Sequence, residues 1–146
     1  MADQGNSGNA LLERRLQELA EERRRLAMII EGTAAGTWEW NVQSGQMRVN
    51  ERWAEIVGYR LDELEPICQK TFIALVHPDD LALSDAALQD HFDGRTDHYV
   101  CLLRMRHRNG EWIWIHDRGR VFEWDGQGRP LWMAGAHADV TELQQA

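Results

Sequence analysis

Residues 99–138 read YVCLLRMRHRNGEWIWIHDRGRVFEWDGQGRPLWMAGAHA, and the fold is decided there. Three β-rich runs, Tyr99 to Arg108, Glu111 to Trp124 and Pro130 to Ala138, are separated by Asn109-Gly110 and by Asp125-Gly126-Gln127-Gly128. Asn-Gly and Asp-Gly tolerate the positive φ that tight hairpins need, so each break reverses the chain. The stretch predicts a three-stranded antiparallel meander.

Working upstream, Thr37-Trp38-Glu39-Trp40-Asn41-Val42 alternates with a period of two, Ser44-Gly45 turns, and Gln46 to Asn50 returns as a short strand. Between this hairpin and the meander lies a string of short helices. Asn50 N-caps the first, Glu51 to Val57, and Gly58 closes it. Leu61–Leu64 and Thr71–Val76 follow, then the longest, Pro78 to Phe92, with Asp79 and Asp80 in its first turn and Asp93-Gly94 at its end. The elements predict an α+β domain: a five-stranded antiparallel sheet with short helices between strands two and three. Few elements are long enough for a parallel βαβ unit.

An amphipathic helix precedes that domain. From Ala10 to Glu31, Leu12, Leu16, Leu19, Leu26 and Ile30 recur at heptad-like spacings, with Arg23 interrupting the seam. Such a stripe either lies on its own domain or pairs with a second copy, and a homodimer is the favoured expectation. The organisation expected is a disordered polar tail (1–9), this helix (10–31), the domain (32–143) and the start of a linker (144–146).

Composition narrows the function. With 146 residues, 43% of them hydrophobic, there is room for one core. No apolar run is long enough to cross a bilayer, and the polar N-terminus lacks a signal peptide's hydrophobic stretch, so a cytoplasmic protein is expected. A net charge of −8 argues against nucleic acid and anionic membrane as partners. Cys68 and Cys101 stand apart, spelling neither a disulfide framework nor a zinc site. There is no phosphate loop, nucleophile elbow or kinase signature, so no enzyme is expected. Asp79, Asp80 and Asp85 read as helix-start carboxylates rather than metal ligands.

The seven tryptophans exceed what a minimal core needs. Trp38 and Trp40 share one face of their strand, as do Trp112 and Trp114. Facing inward, the pairs line an aromatic cavity; facing outward, they seat the N-terminal helix or a second subunit. The outward reading is favoured, because Ile113 and Ile115 then fill the core. By that parity the cavity candidates are Trp53, Ile56, Phe72, Leu75, Leu103, Met105, Ile113, Ile115 and Met133.

The order and spacing of several short segments resemble the PAS family with its PAC-type C-terminal half, over residues 28–143. They are Trp38-Glu39-Trp40-Asn41, Asn50-Glu51-Arg52-Trp53, Val57-Gly58-Tyr59, His77-Pro78-Asp79-Asp80, Arg104 to Glu111, Trp114-Ile115 and Asp139-Val140-Thr141-Glu142. The resemblance implies a PAS fold enclosing a cavity, filled by ligand in some members and by side chains in others. It implies a sensory relay toward an effector, commonly a histidine kinase or diguanylate cyclase, and the chain looks like an excised input module.

An ion pair between Asp139 and Arg118 or Arg120, with Thr141 leading into the outgoing helix, is expected to carry the signal. Alternatives are a ligand-free dimerisation module, or a flavin- or haem-bearing redox or gas sensor. Haem-binding relatives place a histidine on the long helix, where this chain has His91 near the C-terminal end. His77 is expected to cap or orient that helix. Blue-light-sensing relatives keep a flavin-reactive cysteine near the position of Cys68, but the flavin-binding context is missing here. No cofactor is therefore assigned.

Overall fold

The structure, a computed structural model, describes residues 2–145. It divides into two units, one ending at Ala34 and one beginning at Ala35.

The first unit is helix α1, Ala2–Thr33. It takes in the segment expected to be a disordered tail, of which Met1 lies outside the described residues. Propagating a helix upstream from the strong formers after Ala10 needs no new nucleus, so weaker residues join it. Leu12, Leu16, Leu19, Leu26 and Ile30 are all exposed. The helix runs past the expected end at Glu31 to Thr33; Ala34 then takes the left-handed turn at φ 55° and Gly36 opens a strand.

The second unit has the order β1 (Gly36–Asn41), β2 (Met47–Val49), α2 (Glu51–Ile56), α3 (Leu61–Leu64), α4 (Gln69–Leu75), α5 (Pro78–Phe92), β3 (Tyr99–Arg106), β4 (Trp112–Trp124), β5 (Pro130–Asp139) and α6 (Thr141–Gln145). Ala146, in the expected linker, lies outside the described residues. The strands form a five-stranded antiparallel sheet ordered β2-β1-β5-β4-β3, so the first hairpin and the meander join through β1 and β5. Local chemistry explains the helix starts. Asn50 accepts from the Trp53 amide at 3.0 Å, and His77 accepts from the Asp79 amide through Nδ1 at 3.1 Å.

The helices cover one face of the sheet. On that face Leu103, Met105, Ile115 and Met133 are fully buried, and α2 adds Trp53, Ile56 and Val57. Burying each such side chain contributes about 1.5–3 kcal/mol.

Trp38 and Trp40 also face inward, which corrects the outward expectation: both are buried. The cause lies on the neighbouring strands. Gly119 and Gly135 sit opposite one another, with Gly135 opposite Trp38. A Cβ at either would come within 2.7 Å of the Trp38 indole, so the two glycines form the hollow in which that ring lies. Trp112 and Trp114, opposite Arg106 and Arg104, occupy the outer face.

Candidate functional site

A cavity of about 190 Å³ lies between the inner sheet face and helices α4 and α5. Trp38, Trp40, Phe72 and His137 give it aromatic walls, with Met47, Ile73, Leu81 and Leu88 completing the apolar lining. Ser84, Tyr99 and Asp117 are its buried polar members, and Gln69 and Asp85 are the others.

Of the side chains expected to line a cavity, Phe72 does. Trp53, Ile56, Leu103, Met105, Ile115 and Met133 form solid core, with Leu75 and Ile113 packed against it. The void lies elsewhere because α2 drives Trp53 and Ile56 into that end of the sheet, while Val76 bridges to Met105.

Ser84, Tyr99 and Asp117 form one network with Trp38 and His137. Asp117, on an inward position of β4, accepts from the Trp38 indole Nε1–H at 2.9 Å and from the Tyr99 hydroxyl at 3.2 Å. Tyr99 has one hydroxyl proton, so the 2.8 Å contact with Ser84 is a hydrogen bond donated by the serine. Nε2 of His137 stands 3.3 Å from Asp117 Oδ1, and Trp53 stacks on its imidazole at 5.4 Å. Burial, then the Asp117 carboxylate, pushes the Tyr99 hydroxyl far above the ordinary tyrosine range. The same two causes push the Cys101 thiol up to about 11. None of Ser84, Tyr99, Asp117 or His137 was singled out from sequence.

The cofactor expectations can be tested on donors. The Val121 amide donates to His91 Nε2 at 3.0 Å, which leaves Nδ1 to carry the proton and donate to the Thr96 carbonyl, also at 3.0 Å. Both nitrogens are committed, so His91 has no lone pair for haem iron. Cys68 stands at the N-cap of α4, outside the cavity lining, where the backbone amides of Thr71 and Lys70 hold its thiol below the usual range. Among the described residues, no group of three or more His, Cys, Asp or Glu is placed to hold a metal.

Two connections lead away from the cavity. At the start of α5, Asp80 is bound through both carboxylate oxygens by the Arg104 side chain at 2.9 and 3.0 Å, and accepts from the Arg104 amide at 2.8 Å. The guanidinium holds the Asp80 carboxyl below the usual carboxylate range and lies 5.2 Å from the Trp114 ring centroid. On the other side of the same Trp114, at the end of β5, Asp139 accepts from the Thr141 amide and hydroxyl, while the Thr141 oxygen accepts from the Trp114 amide at 3.0 Å. Asp139 stands opposite Ile115, whereas Arg118 and Arg120 stand opposite Ala136 and Ala134. That register corrects the expected ion pair: Asp139 engages Thr141, and no ion pair with either arginine occurs among the described residues.

The chain matches the PAS fold family model over residues 46–137. It is similar in structure to a sensory box histidine kinase/response regulator from Burkholderia thailandensis, at 34% identity and a TM-score of 0.72, covering 83% of this chain and 88% of that one. It also resembles the N-terminal domain of a diguanylate cyclase with PAS/PAC sensor from Marinobacter aquaeolei, at 19% identity and a TM-score of 0.64, covering 77% and 99%. A PAS domain from the fruit-fly ELK potassium channel, at 16% identity and a TM-score of 0.54, covers 81% and 96% and shares the fold. No match was found among the curated proteins.

Proposed function

The chain belongs to the PAS family, and from that premise we propose that it is a non-catalytic sensory module that regulates a downstream effector of the histidine kinase or diguanylate cyclase type. A small molecule entering the cavity, or a change in dimer geometry, shifts the sheet and with it the outgoing helix. The observation that supports this most directly is the Ser84–Tyr99–Asp117–Trp38 network. It links the cavity to α5, β3, β4 and β1 at once, so a ligand pressing on it acts on several elements together. Beyond β5, Asp139 and Thr141 hold the start of α6 against the Trp114 amide, a coupling point for strand position and helix direction.

A second reading, a ligand-free dimerisation module, is favoured by the exposed stripe of Leu12, Leu16, Leu19, Leu26 and Ile30 on α1. The outer-face residues Trp112 and Trp114 are a further surface for a second copy. Free Cys68 and Cys101 suit a reducing cytoplasm. An absorbance spectrum with native mass spectrometry tests these readings. A bound mass supports the ligand sensor, and a colourless, ligand-free dimer moves the function to the α1 surface. A ligand-free monomer at micromolar concentration would overturn both.

A further inference from the structure

We propose that the cavity takes an aromatic primary amine, whose ring lies between the aromatic walls and whose ammonium pairs with Asp85 at the mouth. This rests on the ligand-sensor reading and names the class of its ligand. Helix α5 presents Leu81, Ser84, Asp85 and Leu88 to the cavity, at the i, i+3, i+4 and i+7 spacing that puts side chains on one helix face. Along that face Ser84 is buried, Leu81 and Leu88 are half-buried and Asp85 is exposed. Asp85 therefore stands where the cavity meets solvent. Its side chain makes no hydrogen bond or ion pair among the described residues, so an incoming ammonium displaces only water from it. The deeper carboxylate, Asp117, is already taken: Trp38 and Tyr99 donate to it, and His137 stands beside it.

Size, walls and charge narrow the class. A cavity of about 190 Å³ is somewhat larger than the roughly 150 Å³ that holds benzene. It accommodates one ring and leaves a short chain to reach the mouth. Trp38, Trp40 and Phe72 offer that ring surfaces to stack on, and the faces of the same rings attract a cation. Asp85 and Asp117 line the cavity and neither Lys nor Arg does, so an anionic ligand meets like charge without compensation. The net charge of −8 acts in the same direction, drawing cations toward the chain. A neutral ring gains the walls but leaves Asp85 unused.

The test titrates the whole chain calorimetrically with phenethylamine, phenethyl alcohol and phenylacetate, and repeats the first two on Asp85→Asn. The amine and the alcohol share a ring and a two-carbon chain and differ in charge. The ratio of affinities favouring the amine is expected to fall about fivefold in the variant. In the unaltered chain the same ratio is expected to shrink as salt is raised, which reads the ion pair should the variant fail to fold. The Trp38 and Trp40 ring resonances are expected to move with the amine and with the alcohol alike, which places the ring between the walls. A ratio unchanged by Asp85→Asn or by salt, tightest binding by phenylacetate, or unmoved ring resonances overturns the ligand class and leaves the sensor reading standing. Failure of all three probes to bind also overturns the class, and the native mass spectrum then decides the sensor reading by itself.

Discussion

Trp38-Glu39-Trp40 on β1 and Trp112-Ile113-Trp114 on β4 are the same pattern, tryptophan at alternate positions, and they face opposite sides of one sheet. The intervening residue decides. Turning the β4 tryptophans outward sends Ile113 and Ile115 into the core, where Ile115 is fully buried. Doing the same on β1 would bury Glu39 without a partner, at a cost no tryptophan contact repays. Glu39 is exposed, and the β1 tryptophans are inside. A period of two therefore names two faces, and the chemistry between the repeated residues tells which face is inner.

The largest expected effect tests this comparison head on. Trp38→Ala removes a buried ring and leaves Asp117 short of a donor, so urea denaturation is expected to show a loss of about 3–5 kcal/mol. Trp112→Ala, on the outer face, is expected to cost about 1 kcal/mol or less. Equal losses would break the assignment of faces.

Next comes Asp80→Asn, which removes the charge that Arg104 binds and is expected to cost about 3 kcal/mol at neutral pH. Because the folded-state pKa of Asp80 is depressed, its contribution is present above the unfolded value of about 3.9 and fades as pH falls through the folded one. The gap between Asp80→Asn and the unaltered chain should then close as the pH drops below about 4. A gap independent of pH would sink this account.

Gly135→Ala is expected to cost about 2 kcal/mol, because its Cβ would lie 2.1 Å from the Arg118 carbonyl and 2.5 Å from the Trp38 ring. A neutral result would mean that the hollow under Trp38 is not a close fit. Chemical shifts in the Trp38 indole should report the displacement directly.

Strands, turns and caps were legible because each rests on neighbours in sequence: Asn109-Gly110 turns between β3 and β4, and Pro78 with Asp79 and Asp80 starts α5 within the expected bounds. The cavity was far less so. It is set by where α2, α4 and α5 settle on the sheet, and nothing local records that α2 fills one end. Yet part of the site had a signal. Asp117 sits on the same parity as Ile113, Ile115, Gly119 and Val121, and a carboxylate at a core position of a strand needs partners. Tyr99 and Trp38, aromatic residues with a proton to donate, were the types able to supply them. The register correction at Asp139 was beyond reach in the same way. A carboxylate and two arginines on adjacent strands look like a pair until the alignment sets them three and five residues apart.

The smallest expected effect on stability concerns that same correction. Asp139→Ala removes the acceptor for the Thr141 amide and hydroxyl at the very end of the domain, so global stability should fall by about 0.5 kcal/mol. The consequence lies in order rather than in stability. Thr141 is held at once by Asp139 and by the Trp114 amide, and freeing it from the first loosens its grip on the second. Hydrogen exchange should therefore accelerate at Trp114 and at Gln144, whose amide bonds back to Val140, while the amides of Leu103 and Met133 keep their protection. Faster exchange confined to those positions would place the hinge of the outgoing helix on the outer stripe. Unchanged exchange at Trp114 would detach that stripe from the exit, leaving Trp112 and Trp114 as a surface with no part in the relay.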